Sequence, residues 1–323
     1  MKRVFFLALV STLFRFPAFP AAAQSYPSGT VRIVVPYPPG GSVDNVARIM
    51  AQMLNESLGQ HFIVENRAGG AGGVVGANFV AKAVPDGTTL LLTASIHVIT
   101  PFLNKNIPYD VVKDFTPITL IATGPLLVST TPTVPANNLK DFFALVRKEP
   151  NKYTFATSSF GSAGHLAIEL LKRDAGVNTL VVAYPGAGPA LTDLMGGQVQ
   201  LMADPMLSSL PLVQGGKLKV LAITSARRIT TAPDIPTVAE SGMTGFEFVS
   251  WYGLWAPKDL PDRIAANLQN EVARIVAQPD VKQRLAALGF EPIGSTTEYF
   301  TKFIADEMAK SAKIISDAKI KLE

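Results

Sequence analysis

Short apolar runs alternate with amphipathic runs along most of this 323-residue chain, and glycine or proline separates them. That rhythm constrains the fold more than any single residue does. Apolar strands with helices between them build layered α/β domains around a mostly parallel sheet. The first unit sets the pattern. Val31–Val35 reads as a strand. Ser42 to Leu58 reads as a helix, apolar at Val43, Val46, Ile49, Met50, Met53 and Leu54 and stopped by Gly59. Phe62–Val64 is a short expected strand, and Gly73 to Ala83 a second helix ended by Pro85-Asp86-Gly87. Thr88–Thr93 is apolar enough for the middle of a parallel sheet.

Residues 139–224 repeat the rhythm. Helices are expected at Leu139–Lys148, His165–Asp174, Pro189–Met195 and Leu207–Gln214. The strands between them are Tyr153–Thr157, Leu180–Tyr184, Val199–Ala203 and Leu218–Thr224. The stretch from Phe115 to Thr131 is long, extended and broken by Gly124-Pro125, as a strand passing from one domain to another would be. Ser225-Ala226-Arg227-Arg228 reads as the return. After Phe246–Ala256 come helices at Pro261–Ala277, Val281–Leu288 and Thr297–Ala318. The expected organisation is two α/β lobes. Residues 24–124 and 225–323 form the first, and residues 125–224 form an inserted second lobe. Ligands of open α/β sheets sit outside the carboxyl ends of strands, so loops of both lobes should face one cleft.

The chain opens Met1-Lys2-Arg3, then runs apolar from Val4 to Phe14, then reaches Pro17, Pro20 and Ala21-Ala22-Ala23. Charge, apolar stretch and small residues in that order read as a secretory signal (residues 1–23) cut after about Ala23. The apolar run is shorter than the ~20 residues that cross a bilayer. A soluble periplasmic protein is expected. There is no cysteine, which excludes a lipidated cysteine at the cleavage site, a disulfide and a thiolate metal site. Losing Lys2, Arg3 and Arg15, and no acid, takes the formal charge from +4 to +1. Without a basic cluster interleaved with aromatics, nucleic acid is not an expected partner.

The turns that follow the strands carry the binding chemistry. In Tyr37-Pro38-Pro39-Gly40-Gly41-Ser42, the glycines let a ligand approach the backbone, and the amides of Gly41 and Ser42 open a helix. Orphan amides and the helix dipole make such a place attractive to an anion. Asp44, in the first helical turn, favours that dipole rather than touching the anion. A second turn, Ser158-Ser159-Phe160-Gly161-Ser162-Ala163-Gly164-His165, again leads from a strand into a helix. Ser159, Gly161, Ser162 and His165 can supply amides, hydroxyls and a ring donor, although His165 could equally be a capping or packed residue. Tyr184 ends the next strand in Tyr184-Pro185-Gly186-Ala187-Gly188. Asp204 ends another, as an acceptor for a ligand hydroxyl, amine or water, or as a structural group. Ser95, in Ser95-Ile96-His97, could line the wall of the first lobe. The glycines of Gly69–Gly76 fail the dinucleotide spacing at Val75 and read as a tight helix entrance.

Nine segments fall in one order: PYPPGGSVD, VENRAGGAGG, AKAVPDGTTLLL, IPYDVVKDFTPIT, PALTDLMGGQVQLMAD, GGKLKVLAITSARR, DIPTVAESG, FVSWYGLWAP and RLAALGFEPIGST. Together they resemble the Bug family (tripartite tricarboxylate transporter, TctC-like) of periplasmic solute receptors over essentially the whole chain after the signal. The resemblance implies a type II periplasmic-binding-protein fold and capture of a small carboxylate at these loops: a di- or tricarboxylate, an acidic amino acid or an aromatic acid. It also implies membrane transporter subunits as partners. Two departures from the family pattern stand out. Phe160 and Ser162-Ala163 replace frequent Asn and Thr, and Pro185 stands where many relatives have Lys. Phe160 could narrow the cleft, contact an aromatic ligand or pack inside its lobe.

Two other classes compete. A secreted serine hydrolase would use Ser162 with His165, but Gly161-Ser162-Ala163-Gly164 lacks the glycine two places before the serine of a nucleophile elbow. A ligand-sensing partner of a membrane signalling protein would look the same in sequence. No cofactor, metal or catalytic residue is expected, and a monomer is. The export reading is checked by N-terminal sequencing. The exported protein should begin near Gln24; retention of Met1 or a cytoplasmic mature chain contradicts it.

Overall fold

The structure is a computed structural model and describes residues 26, 27, 29–317 and 320. The expected signal, residues 1–23, lies outside the described residues, as does Ala318. The chain begins β1 (Val31–Val35), α1 (Ser42–Leu58), β2 (Phe62–Asn66), α2 (Val74–Ala81), β3 (Thr89–Ala94), α3 (Ile96–Leu103) and β4 (Phe115–Thr130). It continues α4 (Leu139–Lys148), β5 (Phe155–Thr157), α5 (Ala163–Ala175), β6 (Val181–Ala183), α6 (Ala187–Met195), β7 (Leu201–Pro205), α7 (Met206–Gln214) and β8 (Lys219–Ile223). It closes with β9 (Val249–Pro257), α8 (Asp262–Ala277), α9 (Pro279–Ala287), β10 (Glu291–Pro292) and α10 (Thr297–Asp317). Among the described residues no helix is long and apolar enough to cross a membrane.

The strands run in the order β2-β1-β3-β9-β4-β7-β5-β6, with β10 and β8 also on β4. Parallel pairs occupy both ends of this order, β2-β1-β3 and β7-β5-β6. Antiparallel β9 and β4 lie between them. Strand β4 changes partners part-way along: Phe115 to Pro125 pairs with β9, and Leu126 to Thr130 pairs with β7 and β8. Gly124 sits at the change, where a Cβ would meet the Phe290 ring at 2.9 Å. Only glycine allows that close approach without displacing the ring.

Successive strand residues face opposite sides, and each half has apolar packing on both faces. Val31, Ile33 and Val35 join Leu90 and Leu92 against α1 and α8, while Val34 and Leu91 pack with Trp251, Trp255 and Phe300. The far half is built on Phe142, Phe143, Phe155, Leu166 and Leu201. Helix α10 belongs to both: Phe300 and Ile304 pack in the near half, Ile314 and Ile315 in the far one. Helix α3 does the same through Val98 and Ile99.

Two features differ from the sequence reading. Helix α3 is absent from the expected elements; its run IHVITPFL has almost no polar face and contains Pro101, so it carries no amphipathic signal. The return crossing is at Phe248–Val249, not at Ser225–Arg228. Val238, Phe246 and Phe248 are buried in the far core, and Ile223 bridges Thr237, which keeps residues 225–248 with that half. Thr224 fixes the crossing. Its Oγ1 accepts from Leu126 N–H at 2.9 Å, its N–H donates to Leu126 O at 3.0 Å, and its carbonyl accepts from Phe248 N–H at 2.9 Å. Thr224→Val orphans the buried Leu126 amide, so denaturant unfolding should show a loss of about 1–3 kcal/mol. An unchanged midpoint contradicts the clamp.

Candidate functional site

The turn between β1 and α1 is held open by its own side chains. Buried Asp44 accepts from Gly40 N–H at 3.0 Å, from Arg48 Nε at 2.9 Å and from Asn66 Nδ2 at 2.9 Å. Burial alone would raise its pKa, but these bonds outweigh it and hold the carboxyl below its ordinary value. Asn66 Nδ2 also reaches Tyr37 O at 3.1 Å, and the Tyr37 hydroxyl pairs with Thr93 Oγ1 at 3.0 Å. Asp44 therefore does more than favour the helix dipole: it anchors the turn and uses up the Gly40 amide. Gly41 caps α1 with no side-chain hydrogen bond, and a Cβ there would meet nothing within 4 Å. No N-cap side chain therefore covers the start of α1, and there is open space beside Gly41.

The second turn, between β5 and α5, is stitched internally. Ser162 Oγ accepts from His165 N–H at 3.1 Å and pairs with Thr157 Oγ1 at 2.8 Å. Gly161, at φ 76°, donates its amide to His165 Nδ1 at 3.1 Å. That bond places the ring proton on Nε2, 4.0 Å from Glu169 Oε1. Burial first, and Lys172 second, push the His165 pKa down to about 4, so the ring is neutral. His165 is a packed residue that shapes the loop; its Nδ1 offers no proton to a ligand. Nor does it form a dyad with Ser162, whose hydroxyl meets the backbone of His165 and not its ring. Gly186 N–H donates to Ser158 O at 2.9 Å, joining the third turn to the second. The Tyr184 hydroxyl is spent on Asp193 at 2.7 Å, and that of Ser159 turns to Phe160 O at 3.2 Å. Phe160 is 37% exposed and stands edge-on to His165 at 5.2 Å.

The two halves meet at this turn. A Cβ on Gly161 would strike Leu103 of α3 at 2.6 Å. Ser95, buried at the start of α3, donates its amide to Trp251 O at 3.1 Å and leaves Oγ unpartnered. Neighbouring His97 is not at the surface. It packs against Tyr109, Phe115 and Trp255, and burial pushes its pKa down to about 3. Beneath the junction lies Asp204, buried and with no cation acting on it among the described residues, with Ser208 and Ser209 donating to Oδ2. Burial raises its pKa to about 6 against these two bonds. Sequence reasoning missed Asn66, Arg48 and Tyr252. Asn66 was within reach, because it ends β2 at the same sheet edge as the first turn.

Ser95 is bonded to β9, Gly161 packs on α3, Asp204 stands opposite Leu127 just past the β4 crossing, and Ser42 lies beside Tyr252 of β9. The structure turns the side chains of Tyr37, Ser159, Ser162, His165 and Tyr184 to internal bonds. Gly40 gives its amide to Asp44.

Known proteins share this fold. A family described as "Tripartite tricarboxylate transporter family receptor" matches residues 46–320. Rpa4515 of R. palustris, solved with adipate, is 34% identical and superposes with a TM-score of 0.89 over 92% of this chain and 99% of its own. The periplasmic binding protein BugD is 36% identical, with a TM-score of 0.86 over 92% of this chain and 100% of its own. MatC of Rhodopseudomonas palustris, solved with bound malate, is 34% identical, with a TM-score of 0.83 over 90% and 100%. The α/β architecture described above is that of these binding proteins.

Asp204 makes stability depend on pH. Its pKa in the folded chain, about 6, lies above the ordinary 3.8. Between those values the folded state holds the proton more tightly, so its contribution is fully present below 3.8 and lost as pH rises through about 6. Asp204→Asn removes the titration. Denaturant curves should show the variant gaining on the wild type from pH 4 to pH 8, by on the order of 3 kcal/mol. Parallel pH profiles contradict this.

Proposed function

Since the chain belongs to the tripartite tricarboxylate transporter family of receptors, we propose that it is an exported receptor capturing a small carboxylate between two lobes. Residues 26–124 with 249–317 make one lobe and residues 125–248 the other. They close on the ligand as a hinge at the β4 crossing. The protein works as a monomer in the periplasm and hands its ligand to membrane transporter subunits. It binds its ligand without transforming it.

One observation carries the reading: α1 starts at Gly41 with no side-chain cap and open space beside it, while a turn from the other half packs on α3. The turns at 37–42, 158–165 and 184–188 contain no Arg or Lys. A carboxylate there is held by backbone amides, hydroxyls and waters, with partial dipoles in place of a guanidinium. Adipate on Rpa4515 and malate on MatC support a small dicarboxylate as the ligand.

A thermal-shift screen of carboxylic acids tests the function. A ligand at one hundred times Kd stabilises by ~2.7 kcal/mol and is recovered unchanged. No shift with any acid, or turnover of the acid, contradicts it. Two variants test the grip. Gly41 has an ordinary backbone (φ −78°) and free space at Cβ, so Gly41→Val leaves the fold intact while its branched side chain covers the amides. Ser42→Ala removes one donor among several, worth ~1 kcal/mol. Calorimetry should show Gly41→Val weakening binding far more than Ser42→Ala; the reverse order overturns the backbone grip.

A further inference from the structure

An anion receptor with a buried acid at its junction calls for a reason. Asp204 stands near the end of β7, opposite Leu127 just past the β4 crossing. Tyr252, on β9, stands opposite Ala122 just before it. Both side chains are almost completely buried, 1% and 0% exposed, and Asp204 leaves Oδ1 without a partner. Around Tyr252 Oη lie the hydroxyls of Ser42 and Ser250, and the charge of Asp204 reaches it. Ser42 is the first residue of α1, so this polar floor underlies the amides assigned above to the carboxylate. On Asp204 the two oxygens differ. Oδ2 takes Ser208 and Ser209, while Oδ1 has no donor. An unpaired buried acceptor is costly, and a ligand bearing a hydrogen-bond donor removes that cost.

We propose that Asp204 Oδ1 is a specificity-determining acceptor for a hydroxyl or ammonium group carried on the ligand's carbon chain. The receptor then selects 2-hydroxy or 2-amino dicarboxylates over unsubstituted ones. This rests on the carboxylate reading and narrows it. A site that hydrogen-bonds a substrate hydroxyl rejects the analogue lacking it far more strongly than an apolar pocket sorts by size. Selection holds while Asp204 is ionised, so it fades on acidification. Tyr252 is the titratable group facing Asp204. Burial, relieved partly by Ser42 and Ser250, holds its pKa up at about 12, so it stays protonated across this range. Ser208 and Ser209 on α7 carry no charge.

Calorimetry with malate against succinate, and with 2-aminoadipate against adipate, tests this on the mature wild-type protein at pH 8 and pH 5. The substituted acid of at least one pair should bind at least tenfold tighter at pH 8, and the ratio should shrink toward one at pH 5. Asp204→Asn keeps the shape and should lower the pH 8 ratio to within about twofold. If that variant fails to fold, the wild-type pH series alone decides. Equal binding within both pairs, or a preference unaffected by pH, overturns the inference and leaves the carboxylate reading standing. No binding of any of the four acids overturns the inference and counts against that reading as well.

Discussion

Strand β4 is the constraint on which the rest of the molecule depends. One stretch of backbone belongs to two sheet regions, and its partner change at Gly124-Pro125 sets where the halves join. Proline has no amide to give, and Gly124 lies where any side chain would strike Phe290. Thr224 then binds the same point of β4 to the returning chain at Phe248. The turns on each half are positioned by this shared strand. Helices α3 and α10, packed in both cores, make the junction broader than two strands alone.

The chemistry at the junction follows from charge that is absent and charge that is neutralised. Arg48, the cation beside the first turn, is committed to Asp44, and that pair holds the turn. What remains is partial charge on amides at a helix start. Each such interaction is typically worth 0.3–1 kcal/mol when exposed, and up to ~2 kcal/mol when partly buried. Several must act together, which is why the proposed mode draws turns from both halves around one ligand. In that mode the need for closure follows from the lack of Arg and Lys in the turns. Asp204 fits this scheme because burial, with no cation acting on it among the described residues, raises its pKa to about 6.

Much of the fold was legible because its signals are local. Strand and helix periodicities placed α1 and α4 at their observed bounds, and Gly124-Pro125 marked the partner change. Helix α3 was not legible, since IHVITPFL is apolar on every side and its burial comes from both halves at once. The return crossing misled for a related reason. Ser225-Ala226-Arg227-Arg228 looks like a linker, yet distant Val238, Phe246 and Phe248 decide where that segment packs. At the turns, residue types revealed abundant donors but not their partners. Ser162, His165 and Tyr184 each spend their polar atoms inside the loops, a matter of ångström geometry that no spacing rule encodes.

Amides at a helix start that hold a ligand change their proton chemical shifts on binding. Titrating the 15N-labelled mature protein with the acid giving the largest thermal shift should move the Gly41 and Ser42 amide protons downfield and saturate with the binding isotherm. Arginine and lysine side-chain resonances should stay in place. Saturation with those amides unmoved, and a guanidinium or ammonium signal shifting instead, would contradict the account.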